Sequence, residues 1–176
     1  MQNKKILWIT RTAVLLALLI ALQWATAGTQ VFAGQYITGS CVNAVLAVAI
    51  LYAGLWSGVS VAVLSPFFAK LLGIGPQLIQ IIPAIAAGNL IYVLMLHFLG
   101  KKLQAFTVPA AAIGKFLTLY LLVVKWIVPM LAANLKPQQV TTFSVMFSYP
   151  QIITAIIGGI LAMGIVSVLR KAKNIQ

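Results

Sequence analysis

The side chains able to do chemistry are few, and one class is missing altogether. The 176-residue chain carries 12 Lys and Arg, one His, one Cys and no Asp or Glu, for a formal charge of +12. Two lysines, Lys115 and Lys125, interrupt one long apolar stretch. A cation at membrane depth costs about 3 kcal/mol on insertion scales, so each is a candidate functional residue. With no acidic side chain in the chain, an ammonium turned inward must be satisfied by carbonyls, amides, water or the carboxylate of a guest. This favours an anionic ligand over a cationic one. Lys125 lies about one turn below the predicted outer end of its stretch, where a ligand role competes with snorkelling to the interface. Lys115, about 20 Å from that end, is nearer the other face and reads as an anchor.

The uncharged polar residues within apolar stretches supply further contacts: Asn43, Gln80, Asn89, Thr118, Tyr120, Gln151 and Thr154. A single amide in a membrane helix is accounted for by an interhelical hydrogen bond worth about 0.6 kcal/mol. Several at one depth, beneath outward loops, point instead to a pocket. The candidate substrate contacts are therefore Asn43, Lys70, Gln80, Asn89, Tyr120, Lys125 and Gln151.

The missing carboxylates exclude much chemistry. Glycosidase pairs, aspartic dyads, Ser-His-Asp triads and carboxylate-held Mg²⁺ or Ca²⁺ all need residues the chain lacks, so it is not expected to be a self-contained enzyme. No GxxxxGK[ST] phosphate loop is present, and any ATP-driven step belongs to another polypeptide. Cys41 alone forms neither an internal disulfide nor a zinc site. His97, beside Lys101 and Lys102, has no second ligand for a metal and reads as interfacial. No cofactor is expected. The positive charge clusters at the ends of apolar stretches, as lipid contact and orientation signals require, and not on a face suited to nucleic acid.

The elements that must position these residues are membrane helices. The chain is 62% apolar and only 7% charged, against about 25% charged in globular domains. Runs of about 20 apolar residues predict an all-α integral membrane protein, a single domain of six transmembrane helices over 1–176. The spans are read at 6–27, 37–54, 58–72, 78–99, 108–132 and 149–169. Ala25-Thr26-Ala27 resembles a signal-peptide cleavage site, but the first segment is taken as a retained helix, entered by Lys4, Lys5 and Arg11 and closed by Gly28. The stretch between Tyr36 and Leu72, nearly uncharged with Lys70 near its end, is too long for one crossing and must turn, best at Gly54-Leu55-Trp56-Ser57-Gly58. Ser65-Pro66 should loosen the third span. Residues 28–36, 73–77 and 133–148 read as loops, the last being the longest. Trp8, Trp24, Trp56 and Trp126 fall near predicted interfaces, and Trp24 and Trp126 are placed where they could also line an outer pocket.

Basic residues set the orientation. With the N-terminus inside, Lys4, Lys5, Arg11, Lys101, Lys102, Arg170, Lys171 and Lys173 are cytoplasmic, while Lys70 and Lys136 are outside. Both termini are thus expected in the cytoplasm. Ala13, Ala17 and Ala21 repeat at four-residue spacing on one face of the first span, where small residues let another helix approach closely in lipid. Ala155, Gly158, Gly159 and Ala162 make a similar face on the sixth span, read as packing inside the bundle.

The length, the six spans with both termini inside, the Ala13-x-x-x-Ala17 pattern continued by Ala21, and the polar outer half resemble the substrate-binding S component of an energy-coupling factor (ECF) vitamin transporter. The resemblance covers essentially the whole chain. The segments ITGSCVNAVLAVAILYAGLWSG (37–58), SPFFAKLLGIGP (65–76) and SYPQIITAIIGG (148–159) are similar to uncharacterised or pantothenate-type members. The resemblance implies a vitamin-binding subunit of a prokaryotic cell membrane. Its first-span alanines would dock a membrane T component bound to two ATPase subunits, and it would topple in the bilayer to deliver its ligand. Pantothenate, a polar carboxylate, fits a pocket with a lysine and no acid, whereas cationic thiamine does not. Neutral substrates such as pyridoxine or hydroxymethylpyrimidine remain the alternative within that class. A standalone carrier or scaffold is the alternative outside it.

Overall fold

A computed structural model describes residues 4–27, 31–100 and 106–174, and among these the chain is all-helical, with no strand. In chain order the helices are α1 (Lys4–Thr26), α2 (Val31–Val48), α3 (Leu55–Leu71), α4 (Ile82–Leu99), α5 (Thr107–Leu119), the single turn α6 (Val128–Leu131), α7 (Pro137–Met146) and α8 (Pro150–Asn174). A π-helical turn, Ala49–Ala53, prolongs α2, and a longer one, Tyr120–Ile127, joins α5 to α6. Five segments are long and apolar enough to cross a membrane: Lys5–Thr26, Gly34–Ala53, Ile79–Leu99, Thr107–Asn134 and Pro137–Ala172. The remaining long helix, Leu55–Leu71, is also apolar but shorter.

Each of the six long helices packs most extensively against two neighbours, in the cyclic order α1, α2, α8, α5, α4, α3, and α2 also reaches across to α3 and α4. The core is mainly apolar, but polar side chains lie within it and large apolar ones cover the outside. Asn43, Ser57, Ser65, Asn89, Lys115 and Thr154 are buried, while Trp24, Leu71, Leu121, Ile160 and Val168 are exposed. An apolar exterior around a largely apolar core that also holds a few polar side chains is compatible with a multi-pass membrane protein, because lipid solvates the exterior and the buried polar groups must be satisfied within the bundle.

The turn expected near Gly54 is there. Gly54 has φ +103° and ψ 178°, a region essentially reserved for glycine. The second glycine of that segment does other work. The α3 helix begins at Leu55, so Gly58 lies inside it, and a Cβ there would meet Cβ of Ile50 at 2.8 Å and its Cα at 3.0 Å. Gly58 is therefore needed for close approach, not for the turn. Gly73, with φ +72°, ends α3 at the loop expected for 73–77.

Two boundary expectations are corrected. The second helix begins at Val31, so most of the loop expected over 28–36 is helical where it is described. Helix α3, with Pro66 inside it, ends at Leu71, one residue before the end expected for its span. The long loop expected over 133–148 contains α7, whose start follows simple chemistry. Lys136 is extended, Pro137 takes the first helical position, and the Gln139 side-chain oxygen accepts a hydrogen bond from the Lys136 backbone N–H at 3.1 Å. Gly28, Lys101 and Lys102 lie outside the described residues.

Candidate substrate pocket

Glycines set the helix spacing around the candidate site. A Cβ on Gly158 of α8 would come within 2.5 Å of Asn43 Cβ and 2.7 Å of the Ser40 carbonyl oxygen of α2. The two backbones therefore touch beside Asn43. On the other side, Gly88 lets α4 close on Leu119 of α5, at 2.7 Å from a hypothetical Cβ to Leu119 Cγ. This contact brings Asn89 and Lys115 together. The small face expected on the sixth span is an inward packing face: Ala155, Gly158, Gly159 and Ala162 are all buried.

Three helices converge on one cation. Lys115 Nζ donates to Asn43 Oδ1 at 2.6 Å and to Asn89 Oδ1 at 2.7 Å, and its side chain is only 4% exposed. The ammonium also stands 5.6 Å from the ring centroid of Tyr92, within range of a cation–π attraction. The Tyr92 hydroxyl donates to the Ala155 carbonyl at 2.8 Å, and Asn43 Nδ2 donates to Thr154 Oγ1 at 3.3 Å. Both lysine partners are neutral amides, and no carboxylate stands against the amino group. An ammonium has three donors, and two are used.

Lys115, Asn43 and Asn89 line a cavity of about 370 Å³. Its other walls come from Gln23 and Thr26 of α1, Gln35 and Thr38 of α2, Ser65 and Pro66 of α3, and Gln151 and Thr154 of α8. Met146 and Phe147, at the end of α7, complete it. The Met146 carbonyl accepts from Gln35 Nε2 at 2.7 Å and from Gln151 Nε2 at 2.9 Å. The α7 end is thereby tied to both α2 and α8. Thr38 Oγ1 donates to Thr26 Oγ1 at 2.7 Å, linking α2 to the last turn of α1.

Of the candidate contacts, the structure brings Asn43, Asn89 and Gln151 to this cavity. The other four lie elsewhere. Lys70 donates to the carbonyls of Pro76 at 3.2 Å and Gln77 at 2.7 Å, tying down the loop after α3. Gln80 is exposed in the 3₁₀ turn before α4. Lys125 is exposed, and its ammonium stands 5.5 Å from the ring of half-buried Tyr120. The cavity cation is therefore Lys115, reversing the roles expected for the two lysines. The signal for it lay in the buried series Val108, Ala111, Ala112, Lys115 and Leu119, one helical stripe with small residues at its centre. Gln23, Gln35 and Ser65 were not anticipated. Trp24 and Trp126 are exposed and do not line the cavity.

Ala13, Ala17 and Ala21 are all exposed on the outer face of α1. His97 is half-buried with its ring edge-on to Phe98 at 5.1 Å. Compared with known proteins, no family model matches the chain, and neither a curated protein nor a solved structure gives a match.

Proposed function

We propose that the chain is the vitamin-binding S component of an ECF-type importer in a prokaryotic cell membrane, and that its ligand is a small carboxylate, with pantothenate the best candidate. One observation carries this reading: the buried amino group of Lys115, held by two neutral amides in a chain without acidic side chains, lines a cavity within the range typical of small-molecule sites. The two amides that hold Lys115 orient it without neutralising it. A guest carboxylate would accept its remaining N–H in a charge-assisted bond and supply the missing counter-charge. A cationic guest would add a second positive charge at the same place.

In the proposed arrangement six spans cross the bilayer with both termini cytoplasmic, and the cavity opens outward beneath α7. The exposed stripe of Ala13, Ala17 and Ala21 is the docking face for a T component bound to two ATPases. Toppling of the subunit, driven by those partners, would carry the ligand across. The lack of a nucleotide motif in this chain agrees with that division of labour.

The test is calorimetric titration of the purified subunit with pantothenate, and separately with pyridoxine. Saturable one-to-one binding of pantothenate is expected. Binding of pyridoxine alone would overturn the anionic-ligand reading.

A further inference from the structure

The elements around the cavity differ in how firmly they are held. Helices α2 and α8 meet at Gly158 and again at Gly39, where a Cβ would stand 2.9 Å from Thr154 Cγ2, and α4 meets α5 at Gly88. Parting either pair would strip close-packed contacts along the cavity. The loop after α3 puts Ile74 on the cavity wall, but it is fastened to its own helix. The backbone N–H groups of Ile74 and Gly75 both donate to the Ala69 carbonyl, at 2.8 and 3.0 Å, and the Lys70 ammonium holds the carbonyls of Pro76 and Gln77.

Helix α7 is held differently. Its ten residues span about 15 Å, half the ~30 Å apolar thickness of a bilayer, so it cannot cross one. It buries one of its ten residues, Phe143, where α4 buries eight of eighteen. Few buried apolar contacts mark the segments that open locally at low free energy. Met146, the last residue of α7, and Phe147 after it line the cavity. The Met146 carbonyl is among those that a helix end leaves without an intrahelical donor. Side chains of two other helices supply its donors, Gln35 Nε2 of α2 at 2.7 Å and Gln151 Nε2 of α8 at 2.9 Å, which uses both lone pairs of the oxygen. Two hydrogen bonds therefore join the least buried wall of the cavity to a tightly packed pair of helices.

We infer that α7 is the gate of the cavity and that Gln35 and Gln151 are its latch, positioning residues that set how often Met146 and Phe147 swing away to admit or release a ligand. For ligand exchange the inference rests on the anionic-ligand reading and deepens it, while the opening of α7 is a property of the unliganded chain. A gate that opens rarely limits entry and exit alike. Weakening its latch raises the open fraction by the same factor with and without ligand, so both rate constants rise and their ratio is unchanged. One hydrogen bond of ordinary net strength corresponds to a factor of roughly three to ten. Loss of a direct ligand contact would show in the exit rate alone.

The experiment combines amide hydrogen exchange of the unliganded full chain in detergent with rapid-mixing kinetics of pantothenate binding. In wild type, α7 should exchange faster than α2 and α8. In Gln35→Met, exchange in α7 should rise roughly three- to tenfold while α2 and α8 keep their wild-type protection, which also checks the fold. Gln151→Met should raise exchange in α7 in the same way. For pantothenate, Gln35→Met should raise entry and exit rates together and leave Kd within about twofold. An α7 as protected as α2, or unmoved by both substitutions, overturns the inference. So does faster exchange in every helix, which would make the two glutamines part of the general packing, or a faster exit with unchanged entry, which would make Gln35 a ligand contact. If wild type binds no pantothenate, the anionic-ligand reading is refuted, and exchange in α7 alone decides whether the latch stands.

Discussion

Replacing Lys115 with methionine separates the charge from the packing. Lys115→Met keeps a long unbranched side chain and removes the ammonium that donates to Asn43 and Asn89 at 2.6 and 2.7 Å. In the unliganded protein two effects oppose each other. The amide oxygens lose their donor, at about 1–3 kcal/mol for each buried acceptor left unpaired. The protein is also relieved of burying an ion without a counter-charge, an effective penalty of several kcal/mol. These are comparable, so the unfolding temperature should move by no more than about 5 °C. In the liganded protein nothing offsets the loss. A charge-assisted hydrogen bond worth about 1.5–3 kcal/mol disappears, which weakens binding of pantothenate roughly tenfold to a hundredfold. Calorimetry reads this directly, and thermal unfolding of the same preparation reports the fold. A variant that stays folded and binds pantothenate at wild-type affinity would refute the assignment of Lys115 as the carboxylate contact.

Other substitutions probe the surroundings. Lys125→Met should leave pantothenate affinity within about twofold of wild type, because Lys125 is exposed and contributes at most an exposed-site cation–π contact to Tyr120; titration of this variant beside Lys115→Met checks which lysine faces the ligand. Gly158→Ala should cost about 1–3 kcal/mol by overpacking against Asn43 and Ser40, and should weaken ligand binding as well, since Asn43 is displaced from Lys115; a shift in unfolding temperature with unchanged affinity would show that the clamp tolerates the strain. Ala17→Trp places a large ring on an exposed face of α1 and should spare ligand binding by the isolated subunit while abolishing co-purification with a T component; retained assembly would move the docking face elsewhere.

Much of the architecture was legible because apolar run length and glycine placement are local signals. The break at Gly54 and the inward small face of the last helix follow from side-chain size and from one backbone angle that only glycine adopts readily. Azimuth was harder to read. Lys115 and Lys125 are ten residues apart, but the second falls within a π-helical segment, Tyr120–Ile127. The 3.6-residue period therefore does not carry from one to the other. Depth misled as well. Lys115 lies eight residues into α5, about 12 Å along its axis, whereas Asn89 lies about 15 Å from the far end of α4. A lysine stem bridges that offset, so a residue read as nearer the other face reaches Asn43 and Asn89. Gln80 shows the converse: polarity at a helix entry marks an exposed turn as readily as a pocket. Helix α7 was hidden by its composition, although Pro137 at the first helical position and Gln139 two residues later are start signals in their own right.

The absence of acidic residues links the fold to the proposed activity. A buried lysine in most membrane proteins is matched by a carboxylate on a facing helix, and that pair closes the bundle. Here the facing helices offer amides, which hold the ammonium in place and leave its charge unmatched. An internal acid would compete with any anionic guest for the same donors. In the proposed function its absence leaves Lys115 available, and pairing with a carboxylate would offset the desolvation cost of burying a charge there. The Asn43 and Asn89 contacts therefore do more than support packing. In the proposed function they hold Lys115 where a bound carboxylate would supply the counter-charge that no side chain of this chain can give.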